Sequence, residues 1–129
     1  MIELAIKIAL ERITGMTAWP LLLPVKVQEG VTFQRISDPE MYSGMLRTGL
    51  ISGRFQITLY RVDDYASLVQ LDKKIWEEWK SIIHGNLEGV PVQYVKRESL
   101  RQDKTTLTNG SIQYRLMRDF ILTYRGSES

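Results

Sequence analysis

From Ser111 to Tyr124 the chain alternates without interruption. Tyr114, Leu116, Arg118, Phe120, Leu122 and Tyr124 share one parity. Gln113, Arg115, Met117, Asp119, Ile121 and Thr123 share the other. A repeat of two over that length is a strand's pattern. Arg118 breaks the apolar parity, which marks either a bulge or an interface position. A second segment, Arg54 to Val62, supplies a neighbour: Phe55, Ile57 and Leu59 face one way, and Gln56, Thr58 and Tyr60 the other. One buried face and one wet face is the pattern of an antiparallel sheet covered on one side.

Two helices are expected to provide the cover. Ile2, Ala5, Ile6, Ala9 and Ile13 recur at helical spacing, with Glu3 near the start, Arg12 near the end and a stop at Thr14-Gly15. After the carboxylates Asp63-Asp64, which suit a helix start, a longer helix is predicted over 65–83. Its apolar stripe is Ala66, Val69, Ile75, Trp76, Trp79, Ile82 and Ile83. Its wet face pairs Lys73 with Glu77 and Lys74 with Glu78. His84-Gly85-Asn86 then ends it, with His84 at the negative end of the dipole.

The remaining segments are shorter. Residues 16–30 form a connector in which Pro20 and Pro24 forbid a helix, Leu21 to Val27 can form a short edge strand, and Trp19 pins the segment down. Val31 to Ile36 is a strand, and Val90 to Val95 starts another that can run on to Leu100. Arg101 to Gly110 reads as a polar connection with a turn at Asn109-Gly110, and the tail 126–129 as frayed ends. The expected fold class is therefore α+β: one domain, residues 1–129, with an antiparallel sheet of about four strands. One long helix packs across a face, beside a shorter N-terminal helix.

Composition narrows the chemistry. The 129 residues contain no cysteine and a single histidine, which removes disulfides, thiolate sites and any site built on two imidazoles. Seventeen basic and 15 acidic side chains leave a net charge of +2, too balanced for strong attraction to nucleic acid or a membrane surface. No apolar run approaches the roughly 18–20 residues of a membrane span. Glu3 stands where an export signal would carry its basic residues.

Neither a phosphate-binding loop nor a nucleophile elbow is present: Leu50 follows Gly44 and Gly49 where the phosphate loop needs lysine. The carboxylate pairs Asp63-Asp64 and Glu77-Glu78 suit a cap and a solvated face better than acid–base work. No catalytic residue, metal site or cofactor is expected, and the chain is not expected to be an enzyme.

The stretch from Asp38 to Gly53 carries Met41, Tyr42, Met45, Leu46 and Arg47 without a clean period. Long loops are often functional, and Met, Tyr and Arg are enriched at protein contacts. The alternative is a locally packed helical turn over 39–46. Basic residues also thicken toward the C-terminus, with Arg115 and Arg118 on the last strand as candidates for a second contact.

The order of these features resembles that of the tail-completion, or tail-terminator, proteins of long-tailed phages. The matching pieces are the N-terminal helix, the connector into Pro24, the strand Val31-Thr32-Phe33-Gln34-Arg35-Ile36-Ser37 and a variable loop. The strand Arg54-Phe55-Gln56-Ile57-Thr58-Leu59-Tyr60, the helix after Asp63-Asp64-Tyr65, Gly89-Val90-Pro91-Val92 and the end strand Tyr114 to Tyr124 follow in the same order.

The resemblance spans about residues 4–125 and implies a structural role. Such proteins form a ring, usually hexameric, at the head-proximal end of the tail, where it stops tube growth and joins tail to head. The implied partners are further copies of the chain, the tail tube protein and the head connector protein, and DNA passes through without sequence-specific binding. The implied place is the virion tail, assembled in the host cytoplasm, with no membrane. The competing expectation is a small α+β module that binds RNA or a peptide on its sheet, although the RNP consensus is missing.

Overall fold

The computed structural model describes residues 1–128. Its elements are α1 (Ile2–Thr14), β1 (Ala18–Pro20), β2 (Gly30–Ser37), β3 (Glu40–Ser43), β4 (Leu46–Val62), α2 (Tyr65–Trp79), β5 (Ile83–Leu87), β6 (Val90–Thr106), β7 (Ile112–Arg125) and a closing 3-10 turn, Gly126–Glu128. The strands run in the order β1-β2-β4-β7-β6-β5, with β3 added to β4. β1 and β2 are parallel, and every other pairing is antiparallel.

The sheet corrects the expected fold class. It is mixed and seven-stranded rather than antiparallel with about four strands. Its helices are of similar length, 13 and 15 residues, rather than one long and one short. α2 stops at Trp79, where Lys80 N–H still reaches the Trp76 carbonyl and the Ser81 hydroxyl caps that of Glu78. The β-branched Ile83 then starts β5 instead of extending the helix stripe.

His84 is consequently not a helix cap. It lies on β5 with φ 47° and hydrogen-bonds through Nδ1 to Gln93 Oε1 at 2.6 Å. The connector has its strand at 18–20, before Pro20, rather than over 21–27. Positive φ at Leu21 and Lys26 breaks the later residues into turns. Trp19 lies across Gly30 and holds the two ends of the connector together.

Both helices cover the sheet face predicted to be buried. On α1, Ile2, Ile6, Ala9 and Leu10 are fully buried. The helix touches β1 and β2 at one end of the strand order and β5 at the other, so the sheet curls around it. Arg12 closes the curl with bonds to Glu78 of α2 and to Glu88 in the β5–β6 turn.

Trp79 is fully buried with its ring 4.8 Å from that of Phe120, and Trp76 stacks on the same phenylalanine under the Arg97 guanidinium. Asp64 caps α2 by accepting the Ser67 N–H, while Asp63 exchanges two bonds with Ile112 and finishes the β4–β7 ladder. The expected lysine–glutamate pairs along α2 give way to Glu77–Lys80 and Glu78–Arg12.

β7 keeps the predicted parity, and it carries no bulge at Arg118. The bulge belongs to β6, between Arg97 and Leu100. Arg118 points under α2 and makes a two-pronged pair with Asp72 (Nη2–Oδ2 2.9 Å, Nε–Oδ1 3.2 Å), while Nη1 donates to the Glu98 carbonyl. One side chain thereby ties α2, β7 and the β6 bulge together.

Candidate interaction surfaces

The segment 38–53 is neither a loop nor a helical turn. β3 and the start of β4 form a hairpin around Gly44-Met45, with Gly44 at φ 62°, a left-handed value that glycine adopts without strain. The hairpin is held by its own bonds. Thr48 Oγ1 donates to the Met41 carbonyl at 2.6 Å, and Ser52 N–H donates to the Pro39 carbonyl at 2.9 Å. Three glycines and a bulge between Glu40 and Tyr42 erase the alternation that would have announced the strands.

The hairpin is an arm. β4 meets β7 only from Leu50 onward, so 40–49 extend past the sheet body. At its root, a Cβ on Gly53 would stand 2.7 Å from Tyr124 Cε1, so only glycine lets the buried Tyr124 ring cross there. Beyond the root the side chains meet water: Met45 is 99% exposed, Leu46 73% and Tyr42 59%, with Met41 and Arg47 also exposed. A lone exposed apolar residue is ordinary, but several on one projecting arm make it the candidate contact surface.

The candidates on β7 are placed differently. Arg118 is engaged by Asp72. Arg115, on the helix-free face, is engaged by Asp103 of β6, whose carboxylate holds the guanidinium's pKa above its ordinary value. The structure therefore brings Met41, Tyr42, Met45, Leu46 and Arg47 together and leaves Arg115 and Arg118 apart from them, both already paired.

Three features escape sequence reasoning. The polar stretch 101–106 is not a connection but the outer half of β6, exposed at every residue and paired with β7 down to Thr106–Ile112. Past Tyr94, where β5 ends, its other side has no strand. Alternation of polar residues carries no hydrophobic signal, although Thr105-Thr106 and the turn at Asn109-Gly110 hint at a hairpin. Glu40, at the arm's root, is the one acidic residue with neither a cation nor a hydrogen-bond donor opposite it among the described residues. Finally, a groove of about 460 Å³ runs between α1 and the sheet edge, lined by Met1, Glu3, Leu4, Lys7, Pro20 and Phe33.

No protein-family profile matches the chain, and no curated protein matches it. Among solved structures, a protein whose name states no function aligns over 93% of this chain and 94% of its own, at 10% identity and a TM-score of 0.46. A likeness at that level carries no argument about function. Among the described residues no helix is long and apolar enough to cross a membrane.

Proposed function

We propose that this chain is a structural, non-enzymatic subunit of a phage tail, a terminator-like protein that forms a ring at the head-proximal end. The ring stops tube growth and joins the tail to the head. Its partners in this reading are other copies of itself in a hexamer, the tail tube protein and the head connector, in the virion tail after assembly in the host cytoplasm. DNA passes through without being read.

The observation that supports the reading most is the arm 40–49, which holds Met41, Tyr42, Met45 and Leu46 in water outside the sheet body. Leaving such side chains solvated forgoes burial free energy of roughly 1.5–3 kcal/mol each, which a partner surface recovers. A ring subunit needs unlike patches that meet head to tail, and an arm is suited to one of them. The alternative, an RNA- or peptide-binding sheet, draws less support, because Arg115 and Arg54 on the helix-free face are each held by a carboxylate.

The test is in the assembling particle. Without the protein, filled heads and unjoined tails of unregulated length are expected. Tyr42→Asp with Met45→Asp is expected to reproduce that defect while the isolated protein keeps its Tm. Normal joined tails without the protein would reject the reading, and normal particles from the double variant would reject the arm as its contact.

A further inference from the structure

Besides the outer sides of the short strands β1 and β5, the sheet leaves an open side on β3 and another on the outer half of β6, and these two differ in charge. On one side, β3 pairs only with β4, and the segment 38–43 carries Asp38 and Glu40 with no base. Asp38 is held by Arg35, while Glu40 is unpaired. On the other side, β6 beyond Tyr94 pairs only with β7. Along that stretch Lys96 is paired with Glu98, Arg97 lies over the Trp76 ring and Asp103 is held by Arg115, which leaves Arg101 and Lys104 as its free cations among the described residues. Arg101 donates to the Met117 sulfur at 3.6 Å, and among the described residues neither Arg101 nor Lys104 is paired with a carboxylate.

We infer that the β3 edge of one copy adds as a strand to the free β6 edge of the next, joining neighbouring sheets head to tail. The inference rests on the ring reading, and names the contact that the arm makes.

An open edge is a template of unpaired N–H and C=O groups, and proteins blunt it with lysine, arginine and bulges. β6 carries all three of these guards between Lys96 and Lys104. A cationic guard repels a basic strand and leaves an acidic one as the favoured partner, so it selects as well as protects. Within this chain the β3 edge is such a strand, and its carboxylate Glu40 is the one left without a partner. Because the two edges belong to different strands, the contact is heterologous and repeats from copy to copy, as a ring requires. Backbone pairing supplies the affinity in this mode, and the flanking Met41 and Tyr42 add apolar contact.

The absence of cysteine makes the test clean. Single-cysteine variants are mixed at millimolar concentration and treated with a short bismaleimide. The pairs are Ser43→Cys with Ser99→Cys and Ser43→Cys with Thr105→Cys. The control pair, Ser43→Cys with Val69→Cys, probes the exposed side of α2. Covalent heterodimer from at least one 43–β6 pair, well above the control, is expected. Adding Glu40→Lys to the Ser43→Cys chain is expected to lower that yield about tenfold, and Arg101→Glu on the partner chain to restore it. A yield no higher than the control, or one that Glu40→Lys leaves unchanged, overturns the strand addition. The ring reading would then still stand or fall by the joining of heads and tails, with a different contact.

Discussion

The helix-covered half of the sheet and its two projecting parts, the β3–β4 arm and the outer half of β6, follow different rules. In the covered half every strand has an apolar face, and the charged groups that enter it are matched, while the buried Trp79 Nε1 and Tyr124 hydroxyl have no partner. Asp72 meets Arg118, and Glu11 meets both Lys7 and the Ala18 N–H. In the projecting parts the same β backbone persists with no buried face at all, held by turns, cross-strand bonds and ion pairs. Burial stabilises the first and local chemistry shapes the second. A small domain gains nothing for its own stability from an apolar arm in water, and the proposal of a partner for the arm rests on that difference.

The contrast is broken most easily at its centre. Trp79→Ala is expected to cost about 3–5 kcal/mol, because it empties a fully enclosed site against Phe120. Met45→Ala, on the arm, is expected to stay within about 0.5 kcal/mol of the parent. Denaturant melts of the two variants giving equal costs would mean that arm and core are not separate in this way. Asp72→Ala comes next, at about 3 kcal/mol, since it leaves Arg118 half-matched beneath α2. Asp72→Leu combined with Arg118→Met is expected to recover most of that loss, and a double variant no better than the single one would show that the pair has a further role.

The smallest effect is a pH dependence. The hydrogen bond from Lys7, with that from the Ala18 N–H, holds the Glu11 carboxyl below its ordinary pKa of 4.5. A carboxylate depressed in the folded state contributes stability that is complete above its unfolded pKa and is lost as the pH falls through the folded one. The parent is therefore expected to lose more Tm than Glu11→Gln between about pH 5 and pH 3. The partial exposure of Glu11 keeps the difference to about 1 kcal/mol or less. Parallel Tm curves for the two would remove Glu11 from the account.

What the sequence made legible tracks the same division. α1, the β4 segment 54–62, the parity of β7 and the burial of Trp79 follow from apolar spacing, because each of these elements has a face to bury. The arm was hidden because Gly44, Gly49 and Gly53 interrupt its alternation while Met41, Tyr42 and Met45 suggest packing. The outer half of β6 was hidden because Arg101 to Thr106 bury nothing. The end of α2 was overrun because Ile82 and Ile83 continue its stripe by spacing, while a strand begins there. Of the candidate contact residues, Met41, Tyr42, Met45, Leu46 and Arg47 were singled out by composition, and the structure places them on one arm. Arg115 and Arg118 were drawn in by their charge, and their carboxylate partners lie on β6 and α2, distant in sequence.

Amide hydrogen exchange, read on the free protein and on assembled tails that carry it, tests the account most directly. Amides within 40–49 and on the open side of 96–106 are expected to exchange quickly in the free chain and at least about tenfold more slowly in the particle. Amides of α1, α2 and the covered parts of β4 and β7 are expected to be slow in both. Equal exchange at the two edges in the free and assembled states would contradict the claim that these projecting strands exist to be joined.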